Sequence, residues 1–301
     1  MLLIGSHVSF KSSNQLVGSV KEALSYGSNT FMFYTGAPQN TNRCPISYEL
    51  TLEARNLLYD NNIDLNSLVI HASYVINLAN KEKQSFSVEF LKEEIKRASM
   101  LGVPNLVIHP GNFVSYGLEA GIQNIIDGLN ATITKNQDVF ICLETMSGKG
   151  SEVCYNFDQI KQIIDGVKYS DKVKICIDTC HLNDAGYDIS DFDKILDEID
   201  EKLGIDRIAC VHVNDSKNPL NSHKDRHENV GFGYVGFHNL INVMYNKRLD
   251  GIPKILETPY VSINENGKDR SYPPYKFEID MIKNKRFNEN LLDDVRNYYK
   301  K

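Results

Sequence analysis

The chain has 301 residues, of which 42% are hydrophobic, and a formal net charge of −6 at pH 7. This length suits one large domain or two ordinary ones and allows a substantial buried core. The sequence lacks an apolar run near the roughly 20 residues of a membrane-spanning helix, and a negative charge by itself disfavours nucleic acid as a partner. We therefore expect a globular protein that does not cross a membrane.

The six cysteines are scattered without a C-x-x-C pair. Three of them, Cys142, Cys176 and Cys210, lie inside apolar runs, where cysteine behaves as a small hydrophobic residue. The N-terminal MLLIGSHVSF has no basic start and is typical of a first strand rather than a signal peptide. These features favour a reducing cytoplasm over a disulfide-bonded secreted fold.

Eight short β-rich runs recur along the chain, separated by segments of helical periodicity. The runs are LLIGSH (2–7), TFMFYT (30–35), SLVIH (67–71), NLVIH (105–109), VFICLE (139–144), VKICID (173–178), IACVHVND (208–215) and KILE (254–257). Their apolar character suits parallel strands buried on both faces, so the alternation predicts a closed (β/α)8 TIM barrel, with a doubly wound open sheet as the alternative. We expect residues 1–301 to form a single domain with an extra C-terminal helical segment, and a surface loop at 262–275.

Almost every run ends on a residue that can bind a metal. The polar residues at or near the ends of the eight runs are His7, Thr35, His71, His109, Glu144, Asp178, His212 and Glu257. The C-terminal ends of parallel barrel strands converge on one mouth, where barrel enzymes place their active sites. Imidazoles and carboxylates are ligands for Zn²⁺, with Mn²⁺ or Fe²⁺ as alternatives, and so many carboxylates would repel one another without a cation among them. The set predicts a metal centre.

The stretch IDTCHLNDAGYD (177–188) leaves three alternatives open: a Cys/His metal clamp, a reactive thiol, or a strand end that serves a larger centre. After the seventh run, Asp225 and His227 would point the same way in an extended segment and could share one cation. His181 would complete three protein ligands there. The remaining ligands suit a pair of ions bridged by a carboxylate, which is the usual apparatus for hydrolysing phosphate esters.

Nine stretches together resemble the endonuclease IV family of apurinic/apyrimidinic endonucleases over almost the whole chain. They are GSHVS (5–9), YTGAPQNT (34–41), HASYVINLAN (71–80), LVIHPG (106–111), LETMSGKG (143–150), CIDTCHLNDAGYD (176–188), VHVNDSK (211–217), HKDRHENVGFG (223–233) and ETPYV (257–261). The resemblance implies a TIM barrel with three zinc ions. It also implies hydrolysis of the DNA phosphodiester 5′ to an abasic site in base excision repair, leaving a 3′-hydroxyl, together with removal of blocked 3′ ends. The chain departs from the family's usual sequence pattern at two places. Ser73 stands where many members carry proline, and Leu220–Asn221 stands where a glycine-containing turn is common.

Carried over by motif, the resemblance assigns nine ligands to the three ions. His71, His109 and Glu144 would hold the first zinc, Glu144 would bridge to a second that Asp178, His212 and Glu257 also bind, and His181, Asp225 and His227 would hold the third. The third group coincides with the one that spacing predicts. Glu144 and Glu257 are also the catalytic candidates, either by assisting a metal-bound hydroxide or purely as ligands. Cys180 has no ligand role in this arrangement.

Loops just beyond the strand ends carry candidate DNA contacts, namely Gln39, Asn40, Tyr74 and Val75. The resemblance implies that such loops enter the duplex at the lesion, where a wedge supports a kink and extrusion of the abasic nucleotide. For Tyr74 and Val75, simple packing of the loop is the alternative.

The charge objection to DNA weakens once the metals are counted, because three divalent cations would offset the net charge of −6. Basic residues in the mouth loops would then bind backbone phosphates; they are Lys149, Lys217, Lys224 and Arg226. The expected partner is duplex DNA with abasic sites or blocked 3′ ends, bound by a monomer. A metal-dependent sugar isomerase or epimerase on a similar barrel is the rival, although such enzymes typically use one or two ions.

Two further features lie beside these motifs. GFGYVG (231–236) fits the G-x-G-x-x-G pattern of dinucleotide sites, but a polar loop rather than a strand precedes it. We therefore expect flexible backbone next to the metal loop. His7 is left without an assignment beyond a hydrogen-bonding role behind the ligands.

Overall fold

A computed structural model of the chain describes residues 1–264 and 270–300. Its strands are β1 (Leu3–Val8), β2 (Met32–Phe33), β3 (Val69–His71), β4 (Asn105–Ile108), β5 (Phe140–Glu144), β6 (Val173–Asp178), β7 (Ile208–His212), β8 (Asp215–Ser216), β9 (His227–Glu228), β10 (Pro253–Leu256), β11 (Val261–Ser262) and β12 (Ser271–Tyr272). Strands β1 to β7 and β10 close into a barrel in the order β1-β10-β7-β6-β5-β4-β3-β2. All neighbouring pairs in it are parallel. The predicted (β/α)8 barrel is confirmed and the open sheet is excluded.

Helices connect the barrel strands and cover the outside of the barrel. Their bounds are α1 (Gln15–Ser25), α2 (Tyr48–Asp60), α3 (Gln84–Leu101), α4 (Leu118–Thr132), α5 (Phe157–Gly166), α6 (Thr179–Ala185), α7 (Phe192–Lys202), α8 (Phe237–Met244), α9 (Tyr275–Lys283) and α10 (Leu291–Tyr299). The last two form the predicted C-terminal helical segment, and residues on both pack into the main hydrophobic core.

The barrel has two hydrophobic layers, which the alternation of side chains along each strand keeps apart. A small inner cluster consists of Met32, Val69, Val107, Cys142, Cys176, Ala209, Cys210 and Ile255. The intervening residues face the helices and join the large outer core. The predicted burial of Cys142, Cys176 and Cys210 is therefore confirmed, and it places them inside the barrel.

The observed strands differ most from the predicted runs at three places. The second run spans 30–35 in the sequence, yet only Met32–Phe33 pairs as a strand. The seventh run ends as a strand at His212, and Asp215–Ser216 instead forms an antiparallel ribbon with His227–Glu228. The third run loses its first two residues, because Ser67 belongs to a short helical turn.

The region predicted as a loop at 262–275 is structured at both of its ends. Val261–Ser262 pairs with Ser271–Tyr272, and α9 begins at Tyr275. Residues 265–269 of that prediction lie outside the described residues, as does Lys301. In the described part of the chain, no helix combines the length and the hydrophobicity that a membrane span requires.

Candidate metal centre

Six of the predicted ligands project into the barrel mouth because each follows an inner-layer residue by two positions. The pairs are Val69 with His71, Val107 with His109, Cys142 with Glu144, Cys176 with Asp178, Cys210 with His212 and Ile255 with Glu257. Side chains two residues apart on a strand share a face, so the inner layer of the barrel continues upward into a ring of ligands. The alternation of side chains along the barrel strands therefore brings these six residues together at the mouth.

Glu144 lies at the middle of this ring and faces two groups of histidines. Its Oε2 is 3.0 Å from His71 Nε2 and 3.1 Å from His109 Nε2. Its Oε1 is 3.0 Å from His212 Nδ1. Each carboxylate oxygen therefore serves a different group, which is the geometry of a carboxylate that bridges two cations.

A second group gathers around His212. His212 Nδ1 lies 2.9 Å from Glu257 Oε2 and 3.8 Å from Asp178 Oδ2. Together with Glu144, these residues offer four ligand atoms that lie within 4.8 Å of one another. His71, His109 and Glu144 form a set of the same compactness.

The third group forms where helix α6 meets the β8–β9 ribbon. His181, which the sequence placed in a loop, sits in the first turn of α6, and Asp178 caps that helix by accepting from the His181 backbone N–H at 2.8 Å. His181 Nε2 is 3.0 Å from Asp225 Oδ1, and His227 Nε2 is 3.8 Å from the same oxygen. His227 Nε2 also lies 3.7 Å from Asp178 Oδ2, so Asp178 faces both the second and the third group. Cys180 is buried and belongs to none of these groups.

The protonation pattern of the imidazoles fits metal ligation. His71 Nδ1 donates to the carbonyl of Ala72 at 2.7 Å, and His181 Nδ1 donates to the carbonyl of Thr145 at 2.8 Å. With Nδ1 committed to a carbonyl, Nε2 of each ring faces a carboxylate; it donates to that oxygen when the ring is protonated and would offer a lone pair to a cation once that proton is lost. His227 Nε2 is buried without a hydrogen-bond partner. Imidazole nitrogens and carboxylate oxygens that lie this close together are a donor set for a divalent cation.

The local charges keep the carboxyl groups ionised. Burial alone would raise the pKa of Glu144, but the positive charges of His212 and His109 outweigh it and hold that pKa well below its usual range. Burial likewise opposes ionisation of Asp225, yet the hydrogen bond from His181 and its charge lower the pKa to about 2. Both groups are therefore carboxylates at neutral pH.

Sequence reasoning missed the residues that orient the ligands. Asn214 donates from Nδ2 to Asp178 Oδ2 at 2.7 Å, and its Oδ1 accepts from the backbone N–H of Glu257 at 2.8 Å. Asp184 is fully buried and accepts from the backbone N–H of Asp225 at 2.9 Å. Both residues lie within the motifs quoted above. Their contacts, however, join two different loops, and the spacing of residues within one segment cannot predict such a contact.

Comparison with known proteins places the chain in a family. It matches the family described as the xylose isomerase-like TIM barrel over residues 20–284. A protein named probable endonuclease 4 from Bacillus licheniformis is 50% identical over 300 residues, covering 98% of this chain and 99% of that protein. The chain belongs to the endonuclease IV family. The crystal structure of endonuclease IV from Thermus thermophilus superposes with a TM-score of 0.77 at 26% identity, covering 93% of this chain and 97% of that one. The predicted family and enzyme class are confirmed.

The alternative of a metal-dependent sugar isomerase or epimerase is supported only at the level of the fold. A D-tagatose 3-epimerase-like protein superposes with a TM-score of 0.67 and covers 99% of this chain and 100% of that one. Its sequence is only 16% identical, so the likeness shows a shared barrel and no shared chemistry.

The loop residues predicted to meet DNA cluster on one side of the centre. Tyr74 is 52% exposed, and its ring stacks on that of His109 with centroids 5.3 Å apart. It lines the 330 Å³ cavity that contains Glu144 and His181. Val75 is half-buried and packs against the main core, which supports the packing alternative for this residue. The backbone N–H of Tyr74 donates to the carbonyl of Pro38 at 2.9 Å, so the loop with Gln39 and Asn40 is joined to the Tyr74 loop.

The basic candidates are exposed, and two of them share the ribbon. Lys217 and Arg226 face each other across β8 and β9, where the Lys217 backbone N–H donates to the Arg226 carbonyl at 2.9 Å. Lys149 and Lys224 are exposed on neighbouring loops, which touch where His223 Nδ1 donates to the carbonyl of Ser147 at 2.8 Å. Their exposure is compatible with phosphate contacts.

The glycine-rich segment 231–236 is fixed rather than flexible, so that expectation is wrong. The buried carboxylate of Asp215 accepts hydrogen bonds from the backbone N–H groups of Gly231, Gly233, Val235 and Gly236. The pattern G-x-G-x-x-G thus wraps an internal carboxylate. His7 is largely buried and packs edge-on against the ring of Tyr34, 5.0 Å between centroids.

Proposed function

We propose that the chain is a zinc-dependent endonuclease that hydrolyses the DNA phosphodiester 5′ to abasic sites in base excision repair and leaves a 3′-hydroxyl. The same site would clean blocked 3′ ends. The observation that carries the proposal is the division of the Glu144 oxygens between two histidine groups, with a third group beside them. Full-length similarity to proteins named endonuclease 4 supports it.

Three zinc ions would occupy the centre, with Mn²⁺ or Fe²⁺ able to replace zinc in individual sites. The first ion would be held by His71, His109 and Glu144, the second by Glu144, Asp178, His212 and Glu257, and the third by His181, Asp225 and His227. Such ions, when bound, activate a water molecule and stabilise the leaving oxygen of a phosphate ester. Because Asp178 also faces His227, it would tie the second and third positions together.

The protein's own residues would hold and orient the reacting groups. Glu144 is buried and ionised, and hydrogen bonds fix its surroundings, so it offers a rigid acceptor at the centre. Glu257 is less buried, with 15% of its side chain exposed, and faces the cavity that also holds Tyr74. This placement favours Glu257 as the carboxylate that receives or orients a proton beside the substrate.

The substrate would lie across the loops at the mouth. Tyr74, Gln39 and Asn40 would contact the lesion, with Val75 supporting the loop, while Lys149, Lys217 and Arg226 would bind backbone phosphates. We further propose that the chain acts as a monomer, since the duplex needs an open mouth. A cytoplasmic location agrees with the six free cysteines.

One experiment tests the function directly. Metal content per chain is measured, followed by nicking of a duplex that carries one tetrahydrofuran abasic analogue. We expect about three zinc ions per chain, as the three ligand groups imply, and nicking on the 5′ side that a chelator abolishes. Fewer than two metals together with no nicking would overturn the assignment, and nicking that survives complete metal removal would overturn the mechanism.

A further inference from the structure

Beneath the loop of residues 36–43 lies a buried cluster of charges that the metal centre does not use. Arg43 Nε is 2.6 Å from Glu94 Oε1, with 5% of the arginine and none of the glutamate side chain exposed. Glu94 comes from α3, as does Phe90, whose ring lies 4.9 Å from the Arg43 guanidinium carbon. A buried ion pair is costly to desolvate and contributes little net stability, so its presence under an exposed loop requires another explanation.

Arg43 ties the loop together from inside. Its Nη1 donates to the carbonyls of Ala37 at 3.3 Å, Asn40 at 3.1 Å and Asn42 at 3.0 Å. These carbonyls flank Gln39 and Asn40, the proposed lesion contacts. Arg43 thus uses Nε for Glu94 and a different nitrogen, Nη1, for the carbonyls, whereas a lysine has a single ammonium and cannot occupy both positions.

A second arginine, which belongs to α3, binds the backbone at both ends of the loop. Arg97 is 3% exposed and donates from Nη2 to the carbonyl of Thr35 at 2.9 Å and from Nη1 to the carbonyl of Cys44 at 2.8 Å. The Thr35 hydroxyl accepts from Arg97 Nε at 2.9 Å and donates to Glu94 Oε2 at 3.0 Å. Hydrogen bonds therefore connect Arg43, Glu94, Thr35 and Arg97 without a gap.

The loop is also coupled to the metal side of the mouth. Ser73 Oγ donates to the carbonyls of Pro38 and Asn40, which is a contact that proline at this position could not make. The Tyr34 hydroxyl lies 2.6 Å from that of Tyr74. Ser73 follows His71 by two positions, so a shift of the 36–43 loop would be transmitted towards the first ligand group.

We propose that Arg43, Glu94 and Arg97 form a clamp, the α3 clamp, which positions the 36–43 loop for recognition of the abasic site. The proposal rests on the proposed function and names positioning residues for it. A loop held in its binding conformation loses less conformational entropy on meeting the duplex, so the clamp contributes to affinity for the lesion and leaves the hydrolytic step alone.

The test is single-turnover nicking of the tetrahydrofuran duplex by zinc-loaded Arg43→Lys over a range of enzyme concentrations. We expect the half-saturating concentration to rise about tenfold, which corresponds to a loss of about 1.4 kcal/mol, while the plateau rate and the zinc content stay at wild-type values. Hydrogen exchange of the 36–43 amides in the free protein should become faster. Affinity for an intact duplex should be unchanged, because phosphate contacts dominate it.

Two further variants keep the test decisive. Arg207→Lys is the matched control, because Arg207 donates from Nη1 and Nε to the carbonyls of Ser170, Val173 and Leu203 at the opposite end of the barrel. It should match wild type in every measurement. Thr35→Val removes only the hydroxyl that joins Glu94 to Arg97 and should raise the half-saturating concentration about threefold, as expected for one hydrogen bond.

The outcomes separate the clamp from the function. Wild-type half-saturation in Arg43→Lys, or a loss of zinc that parallels its loss of affinity, would overturn the clamp while the endonuclease assignment stands. Absence of nicking by the wild-type protein would instead overturn the proposed function.

Discussion

The ligand ring and the loops proposed to face the lesion occupy the same mouth but are built differently. The ring stands on strand ends, where each ligand continues the side-chain alternation of an inner barrel residue, as Glu144 continues Cys142. The loops stand outside the strands and are held by side chains that donate to backbone carbonyls, as Arg43 does beneath residues 37–42. One region is fixed by the barrel and the other by contacts from a helix.

This difference implies that the proposed hydrolysis and the proposed recognition of the abasic site depend on different parts of the molecule. A ligand at a barrel strand end can move only if the barrel deforms, so the six strand-end ligands are held rigidly. A loop can shift when one arginine is shortened, so recognition can be weakened without loss of the centre. Substitutions in the two regions should therefore affect different kinetic quantities.

The largest effect should come from Glu144→Gln. The amide replaces one of the two oxygens that face different histidine groups with an NH₂ group that cannot bind a cation. We expect the protein to fold, to lose metal, and to nick the tetrahydrofuran duplex about a thousandfold more slowly or worse, since metal-based charge stabilisation accounts for several kcal/mol. Metal content and single-turnover rate are the measurements.

Two companion variants sharpen the result for Glu144. Glu228→Gln, in the ribbon beside the mouth, removes a carboxylate outside the ligand groups and should leave metal content unchanged. Glu257→Gln should also lose most activity; if it keeps its metal, Glu257 handles a proton, and if it loses metal, it acts purely as a ligand. Near-normal nicking by Glu144→Gln would contradict the bridging geometry.

The contrast also explains which parts could be predicted from the sequence. Each strand-end ligand is local, because the apolar run and the polar residue that ends it lie within a few positions, as in VKICID. Thr35 shows the limit of this rule. It ends its run like the others, yet Tyr34 is the residue in step with the inner Met32, and Thr35 faces α3. A two-residue strand gives too short a pattern to fix which side chains point inward.

Contacts between distant segments could not be predicted in the same way. The tie between Arg43 and Glu94 spans 51 residues, and that between Asp184 and Asp225 spans 41. In neither pair does the sequence around one residue indicate its distant partner. The structure places His181 next to Asp225 and His227, whereas the short helix that positions it was not predicted, since seven residues carry too little periodicity.

A pH experiment tests the hydrogen bonds that hold the segments next to the ligand ring. Glu278 of α9 accepts from Asn229 Nδ2, the Val230 backbone N–H and the Thr258 hydroxyl, and so joins the segments that follow His227 and Glu257. Burial raises its pKa from 4.5 to about 7, although these three donors oppose the shift. The folded chain thus binds this proton more tightly than the unfolded chain, and stability is lost as pH rises from about 4.5 to about 7.

Glu278→Gln mimics the protonated carboxyl and should remove that loss. We expect the unfolding free energy of the variant, relative to that of wild type, to rise by about 2.5 kcal/mol between pH 5 and pH 8, since one pKa unit corresponds to about 1.36 kcal/mol. Chemical denaturation of both zinc-loaded proteins at the two pH values measures this. A stability difference that does not change with pH would contradict the protonation of Glu278.

The smallest effect should come from the basic residues proposed to bind phosphates. Lys217→Ala removes one exposed cation beside Arg226, so affinity for any duplex should fall modestly and the slope of log affinity against log salt should decrease by about 0.9, as for one lost phosphate contact. Lys168→Ala is the control, because Lys168 is exposed between α5 and β6 at the opposite end of the barrel. Anisotropy titrations of abasic and intact duplexes at several salt concentrations supply the slopes. Equal losses of affinity for both duplexes would assign Lys217 to the phosphates. A loss of affinity for the abasic duplex alone would place Lys217 with the loops proposed to face the lesion and would contradict the division between the two regions.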